Sequence, residues 1–307
     1  MRVIRTGAAA ALAVLAMTCA AGSVATAGTA GTGGSGAGAG TGETTVHTVD
    51  VGGLERSYRL YRPASLPEKA PLVVMMHGGL GSARQAERSY GWNAEADRRG
   101  FAVAYPDGYG RAWNVGDGCC GRPGRERVDD VAFIGRMVTE IRRELSVDPA
   151  RVYATGISNG GMMAYRLACD STVFAAIGPV AATRLGGCPA PKPLSVIHVH
   201  GLADRMVRFD GAPGTGIARI DGPPVRAVLA GWRATDRCGR PAVSRSGAVT
   251  AERARCRHGR AVELITIEGA GHQWPGGEVV RERADPPYPG LDATAVIWRF
   301  FAAHPER

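Results

Sequence analysis

Along this chain, from about residue 44 to the end, short apolar runs alternate with polar stretches of helical pattern. The first two runs, TTVHTVDV and SYRLYR, switch between apolar and polar positions around Gly52-Gly53, which predicts an antiparallel hairpin. The later runs do not alternate. PLVVMM (71–76), FAVAYP (101–106), RVYATGI (151–157), FAAIGPVAA (174–182), LSVIHVH (194–200) and AVELITI (261–267) are apolar at almost every position. Strands covered on both faces require this pattern. Between them, residues 83–99, 159–169, about 224–235 and 291–303 are expected helices. So is the stretch after Val128, where Val131, Ile134, Val138, Ile141 and Leu145 recur at helical spacing. Strands that alternate with helices predict an α/β fold, with a mostly parallel central sheet, helices on both faces and an antiparallel N-terminal hairpin.

The N-terminal stretch does not share this pattern. A basic start, MRVIR, leads into the apolar run Ala8 to Met17, and Ala25-Thr26-Ala27 fits a small-residue cleavage site. Residues 1–27 therefore read as a secretory signal peptide, too short to span a membrane. Cleavage before a lipid-modified Cys19 is a second option, although Ala16-Met17-Thr18 is a poor lipobox. Residues 28–42, GTAGTGGSGAGAGTG, hold no side chain able to pack and read as a flexible leader. One catalytic-sized domain over residues 43–307 is the economical organisation.

Charge changes this picture little. The formal charge of the 307-residue chain is +9, and Lys69 and Lys192 are its two lysines. Its arginines alternate with acids and form no basic run, so a solvated surface is expected and no nucleic-acid partner. Cysteine usage changes it more. Cys119, Cys120, Cys169, Cys188, Cys238 and Cys256 remain after the signal, an even number that suggests disulfides in an exported protein. Cys238 and Cys256, bracketing a short polar segment, are the best local pair. Adjacent cysteines bond each other only with strain, so Cys119 and Cys120 are expected to cross-link to Cys169 and Cys188. No C-x-x-C spacing occurs and no histidine is placed to complete a zinc site, so neither a metal nor any other cofactor is expected.

Candidate chemistry gathers at the expected carboxyl ends of the strands, where open parallel sheets place their functional groups. G-I-S-N-G (156–160) sets Ser158 at a strand-to-helix corner between two glycines. It reads either as a routine turn or as a nucleophile elbow. HGG (77–79), HGLAD (200–204) and GAGHQWPGG (269–277) follow three other runs. Together they offer a nucleophile (Ser158), an acid (Asp204) and a base (His272), in the chain order of α/β-hydrolases. A serine hydroxyl needs an imidazole to take its proton, and the imidazole needs a carboxylate to fix its tautomer. The N–H groups of Gly79 and Asn159 would form the oxyanion hole. Asp210 is the alternative acid, with Asp204 a turn former. His77 and His200 are expected to hydrogen-bond loop backbone. Trp274, Trp113, Asn114 and Met162 are expected to line the substrate site, with plain core packing as the alternative.

"AYPDGYGRAWN", "CCG", "DDVAFI", "RVYATGISNGGMMAYRLAC", "HGLAD" and "GAGHQWPGG" occur in this order. With these motifs the chain, over roughly residues 44–303, resembles the secreted polyhydroxybutyrate-depolymerase-like esterases. That group includes the feruloyl and acetylxylan esterases of carbohydrate esterase family 1 and mycobacterial envelope esterases. The resemblance implies an α/β-hydrolase fold, ester hydrolysis through an acyl-enzyme, and Ser158, Asp204 and His272 as the triad. It also implies a Cys238–Cys256 disulfide. The expected protein is a secreted monomer acting on a small, oligomeric or polysaccharide-linked ester. Solid polyester is disfavoured, since enzymes that erode it usually append a substrate-binding domain after the catalytic one. Two alternatives stand beside this reading: a peptidase using the same triad, and an envelope-binding protein that has kept the fold without catalysis.

Overall fold

Burial on both faces accounts for the centre of the sheet. The computed structural model describes residues 42–189, 191–216, 219–282 and 284–306. The signal, the possible lipidation site Cys19 and all of the leader except Gly42 lie outside the described residues. Strands β3 (Ala70–Met76), β4 (Ala102–Pro106), β6 (Ala176–Val180) and β7 (Ser195–Gly201) are buried at every position. β5 (Val147–Ile157) is buried over its last six residues and β10 (Ala261–Ile267) over its last six. These strands pair in parallel in the order β4-β3-β5-β6-β7-β10.

Antiparallel hairpins extend both edges. β1 (Glu43–Val51) and β2 (Leu54–Arg62) form the expected N-terminal hairpin, with Gly52 and Gly53 at positive φ in the turn, and β2 pairs antiparallel with β4. At the opposite edge, β9 (Val249–Arg255) pairs antiparallel with β10 and with β8 (Ala242–Ser246). Every residue of β8 is exposed. Without a covered face it shows no alternation, so this second hairpin gives no strand signal in the sequence.

Two helical layers cover the sheet. On one face lie α4 (Asp130–Glu144), α5 (Asn159–Asp170) and α6 (Val225–Thr235), which bury Phe133, Met137, Met163, Leu167 and Leu229 against Leu72, Val74 and Val196. The other face carries α1 (Ala83–Ser89), α2 (Trp92–Arg99) and α7 (Ala293–Ala303), packing Trp92, Ile297 and Phe301 on Val73, Met75 and Val199. A short helix, α3 (Gly121–Arg125), precedes α4. The single helix expected over 83–99 is two helices. Gly91 stands between them at φ 70°, which redirects the chain so that Trp92 is fully buried against Phe101 and Trp274.

Three disulfides join the described cysteines: Cys238–Cys256, Cys169–Cys188 and Cys119–Cys120. The expected cross-links from Cys119 and Cys120 to Cys169 and Cys188 are corrected by this pairing. Cys169, at the end of α5, and Cys188 have Cα atoms 5.5 Å apart, an ordinary span for a bridge. The adjacent pair closes on itself within the loop that opens α3. Cys238 and Cys256 tie the β8–β9 hairpin at its base.

Candidate active site

Where β5 ends, the chain turns directly into α5, and Ser158 occupies the corner with φ 56° and ψ −124°. An L-residue is strained there by about 1–3 kcal/mol, so surrounding contacts must impose the conformation. Its neighbours do so by close backbone packing. A Cβ on Gly156 would lie 2.6 Å from the Gly160 carbonyl carbon, and one on Gly160 would lie 2.3 Å from the Met76 carbonyl oxygen. Both positions therefore need glycine. The Ser158 N–H donates to the Val180 carbonyl at 2.9 Å, which anchors the corner to the end of β6.

Beyond β7 and β10 the strand pairing continues into the loops. Leu202 N–H donates to the Ile267 carbonyl and Ala203 N–H to the Ala270 carbonyl, each at 2.9 Å. This extension brings Asp204 to His272. The Asp204 Oδ2 lies 2.7 Å from His272 Nδ1, while Oδ1 accepts from the N–H groups of Met206 (2.8 Å) and Val207 (2.9 Å). The Asp204 side chain is fully buried and that of His272 is 10% exposed. Bound this way, His272 carries its proton on Nδ1 and leaves Nε2 free to accept one. Asp210, the alternative acid, is exposed and pairs with Arg208 instead.

The HGG segment lies against the corner. A Cβ on Gly78 would sit 3.5 Å from the Ser158 Cβ, and one on Gly79 would sit 3.9 Å from the Asn159 Cβ. His77, fully buried, accepts from the Gly108 N–H at Nε2 (2.9 Å) and donates from Nδ1 to the Gly78 carbonyl (2.8 Å). This arrangement requires the neutral ring, and burial lowers the His77 pKa accordingly. His200 likewise bonds loop backbone, at the Val207 carbonyl.

Of the four residues expected to line a substrate site, three are core residues. Trp113 is fully buried. Its indole N–H donates to the His77 carbonyl (2.8 Å), and its backbone N–H donates to Asn159 Oδ1 (2.7 Å). Met162 is 1% exposed inside the α4–α5–α6 layer. Trp274, 2% exposed, packs on Tyr90 and Trp92 and donates its indole N–H to Thr294 Oγ1. Each is thus committed to packing, with both indole N–H groups satisfied inside the protein. Asn114 is half-buried, and its backbone N–H, Nδ2 and Oδ1 are also engaged internally, with Asp130, Val128 and Gly116. Asp130 in turn forms a buried pair with Arg56 at 2.8 Å, and burial raises its carboxyl pKa. Trp274→Ala is accordingly expected to destabilise the fold by about 3–5 kcal/mol, as large core truncations do. Urea unfolding checks this: a midpoint shift with kcat retained by the folded fraction is the expected result.

The structure adds groups that no motif announces. Arg281 Nη2 donates to the Gly79 carbonyl (3.0 Å), and Arg111 donates to the carbonyls of Leu80 and Gly81. Both tie down the HGG loop from distant segments. The Asp285 carboxylate accepts from the His272 backbone N–H. An isolated arginine or aspartate in a polar loop has no spacing signal, so only the folded chain reveals these contacts.

Comparison with known proteins agrees with this architecture. The family model described as "Esterase PHB depolymerase" matches residues 56–220, more than half of the chain. NocK from Nocardia uniformis subsp. tsuyamanensis, a protein named as an esterase, is 37% identical over 266 residues, covering 76% of this chain and 75% of its own. Feruloyl esterase B of Piromyces equi is 32% identical over 228 residues, covering 68% of this chain; the match spans 41% of that longer protein. Among solved structures, an acetyl xylan esterase from Aspergillus awamori superposes with a TM-score of 0.58 at 15% identity, covering 84% of this chain and 99% of that one. At that identity the likeness concerns the α/β-hydrolase fold alone. By the family match and the NocK relationship, the chain belongs to the PHB-depolymerase esterase family and is a carboxylic ester hydrolase.

Proposed function

We propose that this esterase works through an acyl-enzyme on Ser158, with His272 as the base, Asp204 as the acid and the N–H groups of Gly79 and Asn159 as the oxyanion hole. The observation that carries this reading is the Asp204–His272 hydrogen bond, which follows β7 and β10 at the same carboxyl edge of the parallel sheet where the strained serine corner ends β5. His272 Nε2 takes the Ser158 proton as Oγ attacks the ester carbonyl, and Asp204 stabilises the imidazolium that forms. The carbonyl oxygen becomes an oxyanion, to which a preorganised N–H contributes about 3 kcal/mol. Collapse expels the alcohol with the proton from His272. Water, activated by the same imidazole, then releases the acid and restores Ser158.

The proposed substrates are short aliphatic or hydroxycinnamoyl esters. Large apolar side chains exposed to solvent concentrate in the loops that follow β3, β7 and β10: Leu80, Leu202, Met206, Val279 and Val280. Those loops also carry Gly79, Asp204 and His272, and apolar side chains on them favour an uncharged acyl group. The relative named feruloyl esterase B supports the aromatic option. Export is part of the proposal, supported by the three disulfides, which persist in oxidising compartments.

A hydrolysis panel tests this reading. It comprises p-nitrophenyl butyrate and palmitate, methyl ferulate, acetylated xylan, a hydroxybutyrate oligomer and an aminoacyl anilide. The butyrate, ferulate or oligomer is expected to lead in kcat/KM. A marked preference for the palmitate or for the anilide would overturn the substrate assignment.

A further inference from the structure

Behind Asp204, the layer under α5 and α6 holds three polar rings that the proposed chemistry does not use. Tyr165 on α5 and His198 and His200 on β7 are each at most 1% exposed. The two histidines are two residues apart on one strand, so they share a face, and their rings stack at 5.2 Å. Tyr165 Oη lies 2.8 Å from His198 Nδ1, and His198 Nε2 lies 2.9 Å from His200 Nδ1. His200 Nε2 lies 2.8 Å from the Val207 carbonyl oxygen and 3.6 Å from Asp204 Oδ2.

One end of this row settles every proton in it. A carbonyl oxygen can only accept, so His200 Nε2 carries a hydrogen. The neutral ring then has a bare Nδ1, which accepts from His198 Nε2–H. His198 Nδ1 is bare in turn and accepts the Tyr165 hydroxyl proton. Burial disfavours charge on both rings and lowers both pKa values, which keeps them in the neutral forms this order needs. The charged and titratable groups that face the row are Asp204 and His272 at one end and Arg184 at the other.

We propose that Tyr165, His198 and His200 are positioning residues for Asp204, forming a one-way hydrogen-bond chain that ends on the Val207 carbonyl and so anchors the Asp204–Val207 turn. The proposal rests on Asp204 being the acid of the proposed triad. Val207 is held twice, by its carbonyl to His200 and by its N–H to Asp204 Oδ1. The carboxylate is thereby fixed with Oδ2 presented to His272. Each link in such a chain polarises the next, which strengthens the bond that holds the Val207 carbonyl. Tyr165 follows Ser158 by seven residues, about two turns along α5. The chain therefore connects the helix that begins at the nucleophile with the turn that carries the acid.

Two experiments on the whole chain test this. In protein labelled with 15N-histidine, the rings of His198 and His200 are expected to be neutral and protonated at Nε2 at pH 7. A charged ring or an Nδ1–H tautomer at either position would overturn the chain, and this readout needs no variant to fold. In kinetics with p-nitrophenyl butyrate, His200→Leu is expected to lower kcat at least tenfold with KM within twofold. The acid limb of kcat/KM should move to lower pH, because a loosened Asp204 supports the imidazolium less well. His200→Gln, which keeps an N–H near the Nε2 position, should restore most of the rate. A His200→Leu enzyme with wild-type kcat and pH limb, beside an inactive Ser158→Ala, would reduce the three rings to packing and leave the triad standing. Activity in Ser158→Ala would instead remove the triad on which the proposal depends.

Discussion

Ser158→Ala is expected to lower kcat on p-nitrophenyl butyrate by about 10^4- to 10^6-fold, leaving a residue of catalysis from the oxyanion hole and binding. Labelling by a fluorophosphonate should vanish with it. Thermal stability should stay nearly level, because alanine is also an L-residue and meets the same backbone strain at φ 56°. Ser158→Gly provides the complementary measurement. Glycine adopts that conformation freely, so the variant should be as inactive as Ser158→Ala and no less stable than wild type. An alanine variant that still labels and turns over near the wild-type rate would refute the nucleophile assignment.

Acid is expected to destabilise the protein through its buried histidines. His77, His198 and His200 have pKa values lowered by burial, whereas in the unfolded chain each titrates near 6.5. Below that pH the unfolded state binds protons that the folded state refuses, so stability rises with pH across the window. It is fully present above about pH 6.5 and is lost as the pH falls toward the folded-state values. Each histidine that stays neutral in the fold removes stability as the pH falls through that window, and the three losses act in the same direction. Urea midpoints measured at pH 7, 6 and 5 should fall steeply. A flat profile would mean that the three rings gain protons while folded.

What the sequence revealed depended on how strongly each feature constrains its own residues. Strands such as Leu72–Met76 and Val196–Val199 are covered on both faces, so their apolar runs announced the parallel sheet directly. Asp204 and His272 could be singled out because each follows such a run within a few residues, and the fold brings them to 2.7 Å. β8 touches solvent along its whole length and could not be read from hydropathy. The break at Gly91 was hidden because the residues on both sides favour helix. Trp113, Trp274 and Met162 were misplaced for a different reason: an apolar residue near a reactive one packs under the site as readily as it faces the substrate. Their burial follows from contacts with Asn159, Thr294 and the helical layer, all remote in sequence. The disulfide between Cys119 and Cys120 was discounted because pairing preferences from separated cysteines do not describe neighbours.

The hydrogen bonds that carry the β7–β10 pairing past its strands, through Leu202 and Ala203, have a bearing on how this enzyme can diversify. They join Asp204 and His272 to the paired strands, and backbone held in this way opens less readily than exposed loops do. The exposed apolar side chains Leu80, Val279 and Val280 are placed otherwise, on segments outside the strand pairing where Arg111 and Arg281 donate to backbone carbonyls. Substitution in those segments is expected to reshape acyl preference while the proposed acid–base pair keeps its geometry. Leu202 and Met206 share the turn with Asp204, so a lineage that exchanges one ester for another is expected to do so through Leu80, Val279 and Val280, outside the paired segment.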